Sequence, residues 1–115
     1  MAKKALLSAA EILAAEDLKT EDVDVPEWGG AIRLREWSGV DMLAYETEAE
    51  QADGSRALAV AISMSAIDEA GSRLFTADDV EALAKKNGKV LIRLMAKIRA
   101  LNLAGEDGAK EASGN

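Results

Sequence analysis

The sequence predicts a mainly α fold with a small β-hairpin, an α+β arrangement in which four to five helices surround a central apolar helix. Three observations predict it: a helix-capping pattern that occurs three times, an apolar-charged alternation on both sides of a Gly-Gly pair, and an uncharged run over residues 57–67. Hydrophobic residues make up 49% of the 115 residues and charged residues 30%, as in folded domains. We expect one domain over residues 1–103 and a flexible tail over 104–115, where the periodicity ends.

Composition excludes several kinds of chemistry. The chain has no Cys and no His, which excludes disulfides, thiol chemistry, a zinc finger and any imidazole base or ligand. Lys3 and Lys4 precede an apolar stretch, but Glu11 and Glu16 interrupt it, so it does not form a signal peptide. The longest uncharged run, residues 57–67, is well short of the roughly 20 residues that a membrane-spanning helix needs. We therefore expect no membrane segment, and a soluble protein in a reducing cytoplasm.

Three helices are predicted to begin at the repeated capping pattern. An apolar residue precedes a Ser or Thr, an acid follows three positions later, and a second apolar residue comes next; the hydroxyls belong to Ser8, Ser38 and Thr76. Such a hydroxyl accepts an amide of the first turn, while the acid reaches back to the cap and favours the positive end of the helix dipole. The second and third patterns carry Asp instead of Glu, and the shorter side chain reaches the cap amide less well.

A β-hairpin is predicted over residues 20–37. Two short runs alternate apolar with charged residues, namely Val23 and Val25 with Asp22 and Asp24, then Ile32 and Leu34 with Arg33 and Arg35. Between them Pro26 should end the first strand, and Gly29-Gly30 supplies the permissive backbone that the reversal needs. The acidic outer face of the first strand should attract the basic outer face of the second.

The rest of the chain is predicted to be helical. We expect helices over residues 39–52, 56–67, 77–86 and 89–103, with polar breaks at 53–55, 68–73 and 87–88. Because residues 57–67 carry no charge, the helix over 56–67 should lie at the centre of the fold or under another subunit. The same uncharged surface leads us to expect a homo-oligomer, a dimer or larger.

Charge is unevenly distributed along the chain. Residues 11–53 hold 13 acids and 3 bases, whereas residues 82–105 hold 6 bases and no acid. Lys89, Arg93 and Lys97 form a basic stripe on the last helix. The stripe could bind nucleic acid, but its segment has no aromatic residue to stack on bases, and the net charge of -7 repels phosphate. We favour a solvated face, or pairing with the acidic helices of the same or a neighbouring molecule.

No catalytic, metal-binding or cofactor-binding residue is predicted. Without His or Cys a nucleophile would be Ser or Lys, and no Ser and Lys stand at a recognised spacing. The acids of residues 78–81 cluster, but acids are expected there because this is the first turn of a helix. Segment 68–79 has Ala70 at a ligand position of a calcium loop, and Gly29-Gly30 lacks the Lys and Ser or Thr of a phosphate loop.

Apolar residues that another protein could contact are the remaining candidates for function. Trp28 stands in a Gly-rich turn, where a large ring is hard to bury, although it could also pack back over the hairpin. On the last helix, Leu91, Leu94, Met95 and Ile98 could contribute either to the core or to a groove for a partner helix. These five are the predicted partner-binding residues.

The order of elements resembles the small tail assembly chaperones of long-tailed bacteriophages and prophages. The most distinctive match is the segment Val-Pro-Glu-Trp-Gly-Gly at residues 25–30. Further matches are segments 18–21, 32–36, 57–67, 68–71, 74–76, 79–83 and 101–103. The resemblance covers residues 8–103, and the apolar helix before Asp17 is not matched by it.

This resemblance implies a non-enzymatic helper of virion morphogenesis. It implies that the chain coats the apolar helices of the tape measure protein until the tail tube polymerises around them, and is absent from the finished particle. Many such chaperones have a longer, frameshifted form that contacts tail tube subunits. The implied partners are therefore the tape measure protein and the tail tube protein, in the host cytoplasm. The alternative is a small helical regulatory or nucleic-acid-associated protein that uses the basic last helix, and an enzyme is a distant third.

Overall fold

The computed structural model describes residues 5–51 and 53–104. Its helices are α1 (Ala9–Ala14), α2 (Gly39–Gln51), α3 (Gly54–Ser65), α4 (Val80–Ala84) and α5 (Gly88–Arg99), and its strands are β1 (Thr20–Val25), β2 (Gly30–Arg35) and β3 (Ala66–Ile67). Two 3-10 turns (Pro26–Trp28 and Ala77–Asp79) and a π-helical turn (Ala100–Ala104) complete the described elements. The predicted α+β class is confirmed. From residue 105 onward, the tail expected over 104–115 lies outside the described residues.

Two of the three capping patterns form complete reciprocal boxes. Before α1, the Ser8 hydroxyl accepts the Glu11 amide at 3.1 Å, and the Ser8 amide donates to the Glu11 carboxylate at 2.8 Å. Before α4, the Thr76 amide donates to the Asp79 carboxylate at 2.8 Å. That box encloses a 3-10 turn, so the helix predicted over 77–86 is α-helical only over Val80–Ala84.

The second pattern forms only half of its box. The Ser38 hydroxyl accepts the Asp41 amide at 3.2 Å, as predicted, and α2 begins there. The Asp41 carboxylate instead pairs with the Arg73 guanidinium, which lies on the segment after β3. This ion pair between distant parts of the chain replaces the hydrogen bond that the Asp41 carboxylate would otherwise accept from the Ser38 amide. Residue 52, where we expected this helix to end, is outside the described residues.

The hairpin forms as predicted and carries the expected cross-strand attraction. Strands β1 and β2 pair antiparallel with Val23 opposite Ile32. One step along, the Arg33 guanidinium donates to both carboxylate oxygens of Asp22, at 2.7 and 3.0 Å. The reversal uses the Pro26–Trp28 turn and a left-handed residue, Gly29, with φ +80°. A side chain at that φ would be strained, which explains the first glycine of the pair.

The sequence did not predict the third strand. We expected the central helix to continue to Ile67, but α3 ends at Ser65, and β3 pairs antiparallel with β2 instead. The buried Ser65 hydroxyl donates to the Arg35 carbonyl at 2.8 Å. The edge of β2 thus accepts hydrogen bonds from the chain after Ser65, and these favour a strand there over a further turn of helix. At the other end, Asp53 caps the helix and its carboxylate accepts the Arg56 amide at 2.9 Å, so α3 starts two residues before the predicted boundary.

Helix α3 lies at the centre of the fold, which confirms the expectation drawn from its uncharged run. It contacts α2, α4, α5 and strand β2. Each large side chain buried around it contributes roughly 1.5–3 kcal/mol of stability. The buried apolar residues include Val23, Val25, Ile32, Leu34, Trp37, Ala59, Val60, Ala61, Ile62, Ala66, Val80, Leu83, Val90, Leu91, Leu94, Met95 and Ile98.

The last helix changes its winding before it ends. The predicted helix over 89–103 is α-helical over Gly88–Arg99 and π-helical over Ala100–Ala104. Within the π-helical turn, the Asn102 side chain accepts the Trp37 amide at 2.7 Å and donates to the Ile98 carbonyl at 2.9 Å. This pair of bonds joins the end of α5 to the start of α2.

Among the helices of residues 5–51 and 53–104, none has the length and apolar character that a membrane-spanning segment needs.

Candidate protein-binding site

An apolar cleft of about 230 Å³ lies at the turn end of the hairpin, beside α4. Two half-buried aromatic rings, Trp28 and Phe75, stand on its sides. The remaining lining comes from one face of α4 and its flanking residues: Asp79, Ala82, Leu83 and Lys86. The cleft thus joins three separate parts of the chain, namely the hairpin turn, the segment after β3 and α4.

The turn that presents Trp28 is held from both sides. Left-handed Gly29 closes the 3-10 turn, with its amide donating to the Pro26 carbonyl at 3.0 Å. On the other side, the Arg93 guanidinium of α5 donates two hydrogen bonds to the Glu27 carboxylate, at 3.0 and 2.7 Å. These hydrogen bonds are the main reason that the pKa of Glu27 falls from 4.5 to about 2. Trp28 therefore projects from an anchored turn.

The wall formed by α4 combines a buried floor with a small exposed residue. Leu83 is buried in the core. The preceding residue, Ala82, is exposed, and its small side chain leaves space in the cleft. Lys86 and Asp79 lie at the rim, and the Asp79 carboxylate is already committed to the Thr76 amide. Lys86 is thus the rim charge that remains available to a partner.

Phe75 also borders a second cleft, of about 110 Å³, together with Met64 of α3 and Glu48 of α2. This second cleft is more polar than the first, because Arg56 and Arg73 also line it. Because one ring borders both clefts, they form neighbouring parts of the same surface. An elongated partner could therefore place side chains in both.

The shape and lining of the main cleft favour a protein partner over a small ligand. Pockets for small molecules usually measure about 300–1,000 Å³ and place several polar groups around the ligand. This cleft is smaller and offers one uncommitted charge among apolar side chains. Within the described residues, no group of three acidic, His or Cys side chains could hold a metal ion. The arrangement is suited to receive apolar side chains of another protein.

The predicted partner-binding residues fall into two groups. Trp28 lines the cleft and is half-buried against the core, so part of its ring packs inside the molecule and part is accessible to a partner. Leu91, Leu94, Met95 and Ile98 are at most 5% exposed and pack in the core. The structure therefore agrees with the first of the two roles considered for them, because the apolar faces of α3 and α5 pack against each other, as two amphipathic stripes do when they meet.

The basic stripe is largely neutralised within the molecule. Arg93 pairs with Glu27 as described, and the Lys97 ammonium lies 3.4 Å from the Glu21 carboxylate. Lys89, the third member, is exposed. The stripe thus pairs within its own molecule, but with acids of the hairpin rather than with the acidic helices that the sequence suggested. Two of its three cations are engaged rather than free for phosphate.

Sequence reasoning missed most of the cleft. In the sequence, Phe75 is only the apolar residue that precedes the Thr76 cap, and Ala82 and Lys86 carry no signal of their own. No local pattern could have identified them, because the site depends on a hairpin turn and α4 meeting in the folded chain. Only Trp28 stood out beforehand.

Comparisons with known proteins agree with the fold. A family model described as "Phage tail assembly chaperone" matches residues 7–115, a range that includes α1. Among solved structures, the chain is similar to the tail assembly chaperone of bacteriophage HK97, with 25% sequence identity, a TM-score of 0.61, and coverage of 80% of this chain and 90% of that one. A search of curated proteins finds no match.

Proposed function

The chain belongs to the phage tail assembly chaperone family, and on that premise we propose that it binds helices of the tape measure protein through the cleft beside Trp28. The protein acts by contact rather than by catalysis. It holds apolar segments of the tape measure protein in solution until the tail tube assembles around them.

The observation that carries this proposal is the pair of half-buried aromatic rings, Trp28 and Phe75, above the buried Leu83. Aromatic residues dominate the binding energy of protein interfaces because they bury a large area with few rotatable bonds. An amphipathic helix presents an apolar face with charged side chains beside it, which matches an apolar cleft that adjoins, at Phe75, a second cleft lined by Arg56 and Arg73. The site fits an apolar helix face better than an extended polar peptide.

Rough energetics suit a reversible chaperone. Burying one Leu-sized side chain contributes about 1.5–3 kcal/mol, and association itself costs several kcal/mol. One or two apolar side chains at the main cleft therefore give weak binding from one copy. Many copies along a tape measure helix would raise the total through avidity, while each remains easy to displace by tube subunits.

The wider role follows the family. We place the protein in the host cytoplasm during tail assembly and outside the finished particle. Tail tube subunits are the second partner, recruited by a longer frameshifted form. The net charge of -7 opposes aggregation of a chaperone that exposes apolar surface.

Co-expression with the tape measure protein of the same genome tests the proposal. Ala82→Trp would fill the cleft with a large ring while leaving the core in place, because Ala82 is exposed. Ala100→Trp is the matched control, since Ala100 is also exposed but lies beyond the far end of α5. We expect the wild type and Ala100→Trp to keep the tape measure protein soluble and to co-purify with it, and Ala82→Trp to fail in both. A tape measure protein that is equally soluble with Ala82→Trp, or without any chaperone, contradicts the proposal.

A further inference from the structure

Two exposed lysines lie where α4 gives way to α5, on one side of the cleft. Lys86 lines the cleft itself, and Lys89 is in the first turn of α5. Lys89 precedes Arg93 by four residues, so it lies one helical turn from the side chain that holds the Trp28 turn. We call Lys86 and Lys89 the lysine pair. Neither forms an ion pair with a residue that the structure describes.

The acids at the cleft and at the Trp28 turn are already engaged by other groups. The Glu27 carboxylate accepts both hydrogen bonds of the Arg93 guanidinium. The Asp79 carboxylate, at the rim, accepts the Thr76 amide at 2.8 Å. The lysine pair therefore places positive charge beside the cleft, although the chain as a whole has a net charge of -7.

Local helix chemistry does not account for Lys89. The N-terminus of a helix is the positive end of its dipole, which favours acids and disfavours cations. The first turns of α1, α2 and α4 follow this preference, with Glu11, Asp41 and Glu81. The first turn of α5 has no acid and carries Lys89, whose amide donates to the Asn87 side chain at 2.9 Å. A charge that is unfavourable for its own helix is a feature of functional sites.

The cleft and the lysine pair together fit one kind of partner. Residues three, four or seven positions apart lie on the same face of a helix, so a helix can place an apolar side chain in the cleft and carboxylates beside it. We infer that the cleft selects apolar helices that carry acidic residues within two turns of the residue that enters it, and that the lysine pair contacts those acids. The inference rests on the proposed function, because it names the class of tape measure segment that the cleft would bind.

Nucleic acid matches this surface less well. Binding of single strands without sequence preference combines a cationic groove with aromatic rings that stack on bases. The rings beside the lysine pair, Trp28 and Phe75, are half-buried and border a cleft of only about 230 Å³. Two lysines also neutralise few phosphates on a chain whose net charge repels them.

Two designed helical peptides with the same leucines test the selectivity directly. One carries Glu and the other Lys at the positions beside the leucines, and fluorescence anisotropy measures the binding of each to the full chain. The salt concentration is about 0.15 M, so that distant charges are screened. We expect the Glu peptide to bind at least about tenfold more tightly, whereas the net charge of -7 alone predicts the reverse order. Ala82→Trp, which fills the cleft, should abolish the difference.

Lys89→Glu separates a role in binding from a role in folding. It should weaken binding of the Glu peptide at least about fivefold and strengthen binding of the Lys peptide. It should also raise the unfolding temperature by roughly 1–5 °C, because an acid suits the first turn of a helix. Arg99→Glu is the matched control, since Arg99 is exposed on the same helix about 15 Å away, and it should bind both peptides like the wild type.

Equal affinity of the wild type for the two peptides, or an unchanged preference in Lys89→Glu, overturns the inference. It is also overturned if Lys89→Glu loses affinity for an RNA or DNA oligonucleotide but keeps the preference for the Glu peptide. Tape measure segments that bind the wild type and Lys89→Glu equally, yet fail to bind Ala82→Trp, overturn it while leaving the proposed function intact. If the cleft discriminates between the peptides but no tape measure segment binds, the proposed function fails and the preference for acidic helices stands.

Discussion

Truncating Leu94 tests whether the apolar stripe of α5 is core. Leu94 is fully buried, so Leu94→Ala removes three carbon groups worth about 0.8 kcal/mol each, or about 2.4 kcal/mol in transfer free energy. The cavity left behind adds to this, and the total expected loss is about 3–5 kcal/mol. A domain of this size is stable by about 5–15 kcal/mol, so the variant should remain folded but lose a large part of its stability.

Urea denaturation followed by circular dichroism measures this loss. Ile92→Ala is the matched control, because Ile92 lies on the same helix and is 62% exposed; its cost should stay within about 0.5 kcal/mol. With a urea dependence of about 1–3 kcal/mol per molar, the midpoint for Leu94→Ala should fall by at least about 1 M. Equal midpoints for the two variants would refute the assignment of the stripe to the core and reopen the possibility of an exposed groove there.

Three further predictions follow from single contacts. Because Arg93 lowers the pKa of Glu27 from 4.5 to about 2, the carboxylate stabilises the folded state above pH 4.5 and loses that effect as the pH falls toward 2. The difference in unfolding free energy between wild type and Glu27→Gln, measured by urea titration, should therefore shrink over that pH range. A constant difference would contradict the ion pair. Gly29→Ala should lower the free energy of unfolding by roughly 1–2 kcal/mol, because the φ of Gly29 is +80°. Gly30→Ala is the control and should leave that free energy nearly unchanged, because a Cβ at Gly30 meets open space in a strand. Equal unfolding free energies for the two variants would rule out the left-handed turn. Asn102→Ala should cost about 1–3 kcal/mol in thermal unfolding, since a half-buried amide before α2 loses its acceptor, and an unchanged unfolding temperature would show that the bond is dispensable.

Local chemistry was the part of the fold that the sequence could predict. Reciprocal caps at Ser8 and Thr76 and the charge pair across the hairpin involve neighbours in sequence or in register, so the pattern contains both partners. The cap at Ser38 shows the limit. The Asp41 carboxylate was predicted to accept the Ser38 amide, but it pairs with Arg73 instead. Because Arg73 is distant in sequence, the local pattern gives no sign of this competition.

Elements that depend on a surface formed elsewhere were not predictable. Strand β3 has two residues, too few to show a period, and it exists because β2 presents a free edge to it. The amphipathic stripe of α5 indicated that one face is covered, but not whether the cover is α3 or a partner. The cleft has the same character: Trp28 was visible as a ring in a tight turn, whereas Ala82 matters only because α4 packs beside that turn.

These contacts explain how the candidate binding site is held in position. The core is supplied by α3, α5 and the sheet, which leaves the rim of the molecule free for binding. Glu27 and Arg93 hold the turn, the turn presents Trp28, and α4 provides the opposing wall. The site is thus held by contacts within the chain itself.

The most direct test of the central claim is the affinity of the purified chain for helical segments of the tape measure protein from the same genome, measured by isothermal titration calorimetry. Wild type and Ala100→Trp should bind with the same affinity. Ala82→Trp should bind at least about tenfold more weakly, because a filled cleft excludes a Leu-sized side chain worth about 1.5–3 kcal/mol. Binding by Ala82→Trp with wild-type affinity would show that the tape measure helix does not use this cleft.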